Sequence, residues 1–300
     1  MTVAPSFHRD NRPLGVVLML LGALVMTATD AGGKWVMVQG FHVAQLNLVR
    51  GFFALAILAP IALKEGGFTA LKTKRPIAHG LRSLLLVFLA YSWFFGLTTL
   101  PLSEATAIAL CAPLCMTALS VVLLGDKVGA IGWGAVLLGF VGMLLIIKPG
   151  TTMFEPMFLL PAFAAVGYAT YMVTNRMLSS TESVTAITLY PQLAIMAASA
   201  VWAPLVWQDL TWRAFLGMAF TGTAAGLGHL LLTYAFRYAS PSVLAPLDYT
   251  ALVWATIFGY VLFSQLPDVS AYAGMALIVA AGLIVIYREA VASRPAPVST

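Results

Sequence analysis

The stretch LGVVLMLLGALVMTATDAGGKW, residues 14–35, decides the fold of this chain. It stays apolar for about four helical turns and then carries an acid and a base four residues apart, Asp30 and Lys34. A helix needs about 20 predominantly apolar residues to cross the hydrocarbon core of a bilayer. The stretch therefore predicts a membrane-spanning helix with two charged groups close to its end.

The composition indicates that lipid surrounds the whole chain, as it would surround this helix. Of 300 residues, 61% are hydrophobic and only 9% are charged, and the mean hydropathy is +0.93. Soluble proteins carry about 25% charged residues, so this chain cannot cover a water-facing surface. We expect an all-α integral membrane protein whose main surroundings are the lipid bilayer. The net charge of +5 is small and scattered, which argues against nucleic acid as a partner.

Ten segments are long and apolar enough to span a bilayer. They are continuously apolar rather than alternating, which disfavours a membrane β-barrel, and short polar joints separate them. We number them spans 1 to 10, at residues 14–35, 43–63, 77–98, 102–124, 129–148, 157–178, 184–206, 212–237, 241–263 and 269–287.

Lysine and arginine predict the orientation of these spans, because basic residues favour cytoplasmic loops. With the N-terminus inside, 11 of the 16 basic residues lie on the cytoplasmic side, 3 lie outside and 2 lie within spans. Both termini are therefore expected in the cytoplasm, as an N-terminal segment at 1–13 and a C-terminal tail at 288–300. The 11 are Arg9, Arg12, Lys64, Lys72, Lys74, Arg75, Lys127, Arg176, Arg237, Arg288 and Arg294.

The two halves of the chain resemble each other. FFGLTTLPLSEATAIAL (94–110) compares with YAFRYASPSVLAPLDYT (234–250), and GMLLIIK (142–148) with GLIVIYR (282–288). Each half holds five spans, and an odd number inserts the second copy upside down. Inverted repeats place a substrate site at their interface, near the middle of the bilayer. We predict a five-helix repeat at 14–148, a linker at 149–156 and an inverted repeat at 157–287 around a central cavity.

Particular stretches carry a resemblance to a known family. LNLVRGFFALAIL (46–58) in span 2, GLTTLPLSEATAIALCAPLCMTALSVVLLGD (96–126) across spans 3 and 4, and the five-plus-five order resemble the EamA-like branch of the drug/metabolite transporter superfamily. Span 9 ends LFSQ (262–265), so the second copy lacks the acid that ends LLGD in the first. The resemblance implies an inner-membrane carrier of amino acids or related metabolites, often an exporter. It also implies a cavity lined by spans 1, 3, 4, 6, 8 and 9.

Charged residues inside spans are costly and mark candidate functional sites. At 1.5 Å per residue, Asp30 in span 1 and Arg50 in span 2 lie at similar depth, with Arg50 about 10 Å from the outer edge. They are a candidate interhelical pair, either a gate or solute contact or a structural ion pair. Lys34 lies one turn further out, where we expect an anchor that reaches water.

A second polar group is predicted in the inner third of the bilayer. Arg82, His229 and Asp248 each lie roughly 8–11 Å from the inner edge, and His79 lies one turn before Arg82. Arg82 is expected to reach back to the cytoplasmic headgroups. Asp248 needs a hydrogen-bond donor, for which His229 and Tyr249 are the candidates. A proton-linked step and a structural hydrogen bond would both explain such a group.

Aromatic side chains with polar tips recur in the spans expected to line the cavity. Such rings stack on apolar or aromatic solutes and form a few hydrogen bonds, which favours an amphipathic solute that is uncharged or zwitterionic. Pro113 and Pro246 are candidate hinges in spans 4 and 9, and Gly222 and Gly226 permit close approach of span 8 to a neighbour. The aromatic candidates are Tyr91, Trp93, Tyr168, Tyr171, Tyr234, Tyr249 and Trp254.

These patterns favour a secondary transporter that works by alternating access and exports amino acids, with apolar or aromatic ones preferred. No nucleotide-binding or common hydrolase motif occurs in the sequence, so we expect no enzyme, no catalytic residues and no cofactor. Cys111 and Cys115 are expected to be packing residues rather than metal ligands. A channel-like facilitator and an intramembrane enzyme are the alternatives, and a monomer is the expected state.

Overall fold

The computed structural model describes residues 11–125, 128–178 and 181–292. Within these ranges every regular element is a helix. The α-helices are α1 (Arg12–Met37), α2 (Val43–Gly66), α3 (Pro76–Gly96), α4 (Leu102–Ala109), α5 (Ala112–Leu124), α6 (Ala130–Ile147), α7 (Leu159–Leu178), α8 (Val184–Trp202), α9 (Trp212–Tyr238), α10 (Pro241–Asp248), α11 (Ala251–Phe263) and α12 (Val269–Ala292).

Parts of the predicted organisation lie outside the described residues. They include Asp126, the acid of the LLGD stretch, and most of the predicted N-terminal segment and C-terminal tail, at 1–10 and 293–300.

Ten spans long and apolar enough to cross a membrane are found among the described residues, which confirms the predicted fold class. Spans 4 and 9 are each built from two helices. The first is interrupted at Leu110–Cys111, between α4 and α5, and the second at Tyr249–Thr250, between α10 and α11. The same interruption thus occurs in the fourth span of each half, as expected of two inverted five-helix repeats.

Small residues bring α1 and α9, the longest spans, into contact along their whole length. A Cβ atom added to Gly15 would lie 2.7 Å from Ala239 Cβ, near the start of α1. At the other end of the pair, a Cβ atom added to Gly217 would lie 2.8 Å from the Trp35 ring. Helices associate in lipid through close van der Waals packing, which small residues permit. The two helices therefore run antiparallel as one unit that joins the repeats.

The predicted close approach of span 8 is confirmed, and its partner is α2. A Cβ atom on Gly222 would lie 2.2 Å from the carbonyl oxygen of Arg50, and one on Gly226 would lie 3.0 Å from Ile57 Cβ. The backbone of α2 therefore rests directly on α9. This contact fixes the position of Arg50 relative to the second repeat.

The bundle has two ends, which we call the near end, where α1 begins and α12 ends, and the far end opposite. At the far end, the Lys148 ammonium donates to Asp268, which joins the end of α6 to the start of α12. The other Asp268 oxygen accepts from the backbone N–H of Ala271 at 2.8 Å and caps α12. The hydrogen bond from Lys148, with that from the Ala271 backbone, lowers the pKa of Asp268 to about 2 from its ordinary 3.8.

Asp268 is expected to contribute stability only above the acid range. Because the folded pKa is lowered, the contribution is complete above pH 3.8 and is lost as the pH falls through about 2. Asp268→Asn keeps a good helix cap and loses an exposed ion pair worth at most about 1 kcal/mol. Asp268→Ala also loses the cap, worth about 1 kcal/mol. Unfolding midpoints in detergent at pH 7 should rank wild type, Asn and then Ala, and the gap between wild type and Asn should close as the pH falls through about 2. An unchanged gap at low pH would contradict the assignment.

Candidate functional site

One face of α9 shows where the interior of the bundle is accessible. Met218, Ala225, His229 and Phe236 are spaced by 7, 4 and 7 residues and so share this face. Met218 and Ala225, towards the far end, are 0% and 2% exposed, whereas Phe236, towards the near end, is 45% exposed. His229, between them, is also exposed. The interior is therefore closed at the far end and open towards the near end.

Tyr168 on α7, in the same repeat as α9, shows the same pattern. It shares a face with Pro161 and Ala164, both buried, and lies about 140° around the helix from the exposed Phe163. Although it faces inward, Tyr168 is 47% exposed. Its ring stacks with that of Tyr171, with centroids 6.1 Å apart and planes at 25°. The inner face of α7 thus presents an aromatic platform to the accessible interior.

Asp30 and Trp93, two of the predicted cavity residues, bind each other. The indole N–H of Trp93 donates to Asp30 Oδ1 at 2.9 Å and links α1 to α3. The expected direct ion pair of Asp30 with Arg50 is not formed, since no oxygen of Asp30 lies within 4.0 Å of the guanidinium. Arg50 instead lies over the Phe94 ring, 5.1 Å from its centroid. The two charges still interact across the interior.

The far end is closed where α1 meets α3, and Lys34 takes part in the closure. A Cβ atom on Gly33 would lie 2.2 Å from Phe94 Cε1, so the two helices touch there. Lys34 is only 1% exposed, which contradicts the prediction of an anchor reaching water. Its ammonium donates to the carbonyl of Leu100, before α4, and lies 5.1 Å from the Phe263 ring centroid, at the end of α11. Lys34 therefore ties three spans together.

Arg82 does not reach the headgroups, contrary to the sequence-based expectation. It is 4% exposed, and its guanidinium lies 4.2 Å from the Tyr171 ring centroid. Its Nη1 donates to the carbonyl oxygen of Ile187 at 3.2 Å. The ring and the carbonyl hold the charge inside the bundle, so Arg82 packs against the Tyr171 ring of the aromatic platform.

His79 lies in a clamp at the near end rather than in the accessible interior. It is 2% exposed, and its Nε2 lies 3.3 Å from Oε2 of Glu182, in the loop before α8. Hydrogen bonds from the Thr73 side chain and the Lys74 backbone lower the pKa of Glu182. The clamp joins the loop before α3 to the loop before α8. Glu182 could not be predicted from the sequence, because nothing in its local pattern shows that a loop 103 residues from His79 folds over the histidine.

Asp248 is exposed although it lies at the end of α10, within span 9. Asp248 is near enough to Tyr168 and Tyr249 for its charge to act on both side chains. Neither predicted donor, His229 nor Tyr249, hydrogen-bonds to it, and among the described residues its carboxylate has no donor at all. The predicted hydrogen bond is therefore not formed, and the Asp248 side chain is exposed instead.

The remaining aromatic candidates divide into inward and outward groups. The Trp254 indole N–H is buried and lacks a partner among the described residues. The Tyr91 hydroxyl lies 2.9 Å from Ser199 Oγ and joins α3 to α8. Tyr249 is in the core, with its hydroxyl against Gly282 of α12. Tyr234 lies on the outward face of α9 under Arg237, away from the interior.

The predicted hinge prolines flank the interrupted spans. Pro113 lies in the first turn of α5, just after the break in span 4, and Pro246 lies inside α10, just before the break in span 9. Cys111, at the first break, is 4% exposed and belongs to the core. No group of three or more His, Cys, Asp and Glu residues in the described ranges could hold a metal ion.

The comparisons with known proteins agree with this architecture. The sequence matches the EamA-like transporter family over residues 13–148 and 156–287, one match in each half. A solved crystal structure has the same fold, with a TM-score of 0.62 and 19% identity over 93% of this chain and 99% of its own.

Curated relatives extend over nearly the whole chain. The S-adenosylmethionine uptake transporter of Rickettsia felis is 32% identical, over 92% of this chain and 93% of its own length. The riboflavin transporter of Vibrio cholerae is 27% identical, over 90% of this chain and 92% of its own. This chain is therefore a multi-pass membrane transporter for a small molecule, and it belongs to the EamA-like transporter family.

Proposed function

We propose that this chain is a secondary carrier that takes up S-adenosylmethionine, or a closely related amphipathic zwitterion, across the inner membrane by alternating access. The observation that carries the proposal is the 30–32% identity to S-adenosylmethionine uptake transporters of four Rickettsia species, over 92% of this chain. The excess of basic residues at the near end supports a cytoplasmic orientation of that end. The proposed substrate path lies between the repeats at 14–148 and 157–287 of a monomer.

The interior chemistry suits this class of substrate. S-adenosylmethionine combines an adenine ring, a sulfonium cation and an amino acid group. The stacked Tyr168 and Tyr171 offer a surface for an aromatic base, and the exposed Asp248 beside them offers a negative charge. The sequence predicts amino-acid export, whereas the relatives named above are transporters of S-adenosylmethionine and riboflavin, so free amino acids enter the assay as competitors. Riboflavin, named for the Vibrio cholerae relative, is the second candidate.

Uptake of labelled S-adenosylmethionine into proteoliposomes tests the proposal. We expect saturable uptake that S-adenosylhomocysteine inhibits and phenylalanine does not. Saturable flux of riboflavin alone would select the second candidate, whereas flux that does not saturate would indicate a channel. The absence of S-adenosylmethionine flux with folded protein would overturn the proposal.

Tyr168→Ala is expected to weaken the apparent affinity for S-adenosylmethionine roughly 5- to 150-fold, because stacking of a base on an aromatic ring is worth about 1–3 kcal/mol. Tyr272→Ala is the matched control, since Tyr272 is also 47% exposed but lies on α12, outside the expected lining. Competition curves in the same proteoliposomes give both values. Equal affinity of the two variants would contradict the stacking role.

A further inference from the structure

Arg50 is a cation inside a span without an anionic partner in contact. Its guanidinium lies over the Phe94 ring, and among the described residues no acceptor hydrogen-bonds to it. Its Nε is buried and unpaired, whereas its terminal nitrogens are not fully buried. An uncompensated charge in this position is costly, and intramembrane charges usually mark a solute path. The terminal nitrogens of Arg50 are therefore available for an anion.

Among the described residues, only one of the two carboxylate oxygens of Asp30 has a hydrogen-bond donor. Trp93 donates to Oδ1 and fixes the carboxylate, whereas Oδ2 accepts nothing from the described residues and is not fully buried. Asp30 is itself only partly buried. One carboxylate oxygen is thus held by the protein, and the other is available for a cation.

Both groups lie beside the closure at the far end. Phe94, under the Arg50 guanidinium, is the ring that touches Gly33, one turn from Asp30. A solute entering from the near end meets these two side chains last. Asp30 and Arg50 feel each other's charge but are too far apart for an ion pair. A ligand with one positive and one negative group could therefore bind to both side chains, with its positive group on Asp30 and its negative group on Arg50.

We propose that Asp30 and Arg50 bind the amino-acid end of the substrate, with the α-ammonium group on Asp30 Oδ2 and the α-carboxylate on the Arg50 guanidinium. The planar guanidinium matches a carboxylate with two parallel hydrogen bonds. The adenine end then points back towards the near end and the Tyr168 platform. This assignment deepens the proposed function and rests on it for the identity of the substrate.

Three ligands that differ in their charged groups test the site. S-adenosylmethionine carries both the ammonium and the carboxylate, decarboxylated S-adenosylmethionine keeps only the ammonium, and 5′-methylthioadenosine lacks both groups and also the sulfonium charge. Arg50→Gln is expected to weaken binding of S-adenosylmethionine by about 30-fold or more, as for loss of a buried charged contact, and to leave the other two ligands unchanged. Asp30→Asn is expected to weaken both ammonium-bearing ligands and to spare 5′-methylthioadenosine. The readout is the dissociation constant of purified protein in nanodiscs.

The crossed pattern separates binding from a structural role. Arg213→Gln, at an exposed cation at the start of α9, is the control and should bind all three ligands as the wild type does. Unfolding midpoints confirm that each variant is folded. A parallel loss of all three ligands, or unchanged selectivity in both variants, would overturn the site.

Failure of the proposed function has a different signature. If wild-type protein binds none of the three nucleosides, the substrate proposal fails, and the site is tested with methionine, its methyl ester and N-acetylmethionine. Loss of methionine binding in both variants, together with weak wild-type binding of the ester and the N-acetyl form, would support the head-group site. The head-group site would be overturned if the wild type bound the ester and the N-acetyl form as well as it binds methionine, or if it bound no amino acid.

Discussion

Crosslinking position 33 to position 94 is expected to abolish transport almost completely. The Cβ position of Gly33 lies 2.2 Å from Phe94 Cε1, where α1 and α3 close the far end. Alternating access requires this end to open once the near end has closed, and a covalent bridge holds it shut. We expect Gly33→Cys/Phe94→Cys, in a background with Cys111 and Cys115 replaced by alanine, to lose substrate flux after treatment with a short bis-methanethiosulfonate, which joins the two thiols through disulfide bonds. A reducing agent should restore the flux, because only the bridge has changed.

The controls carry one thiol each. The two control variants are Phe94→Cys alone and Gly33→Cys combined with Phe94→Ala. Both lack the Phe94 ring, which a side chain at position 33 would otherwise overlap. Neither can form the bridge, so both should transport equally before and after treatment. Flux that persists in the crosslinked pair would show that the far end is not a gate.

The span count could be predicted because hydrocarbon imposes a length and a composition on every crossing helix. The interruptions of spans 4 and 9 were only indicated. Pro113 and Pro246 mark a weakness in each helix, but the breaks fall at Leu110–Cys111 and Tyr249–Thr250, where neighbouring helices pack. A proline in the sequence shows that one backbone hydrogen bond of the helix is missing. It does not show at which residue the helix will then be interrupted.

Depth along a span was easier to predict than the neighbour of each side chain. Counting residues placed Lys34 correctly at the far end, yet the loop before α4 brings the Leu100 carbonyl over it and buries it. The sequence predicts that Asp30 pairs with Arg50, whereas its partner in the structure is Trp93. The residue count along one helix contains no information on the rotation of the next helix about its axis. That rotation is set by glycine contacts spread over distant segments.

Gly222→Ala is expected to lower stability and to disable transport, although alanine favours a helix. In an ordinary helix the exchange gains up to about 1 kcal/mol. Here the new methyl group would lie 2.2 Å from the Arg50 carbonyl oxygen and 2.8 Å from Phe53 Cβ. Neither atom can rotate away, so α2 has to move from α9, and overpacking of this kind costs about 1–3 kcal/mol or more. The unfolding midpoint should fall.

Transport should suffer more than stability in this variant, because the backbone that moves carries Arg50. Gly134→Ala in α6 is the matched control, since Gly134 is exposed and has no neighbour within 4 Å of its Cβ position. It adds the same methyl group and should leave both the midpoint and the flux at or above wild-type values. If Gly222→Ala lowers the midpoint but keeps wild-type affinity for S-adenosylmethionine, the position of Arg50 does not matter for the substrate. If the affinity for S-adenosylmethionine falls by more than the lost stability can explain, the α2–α9 contact is linked to substrate binding.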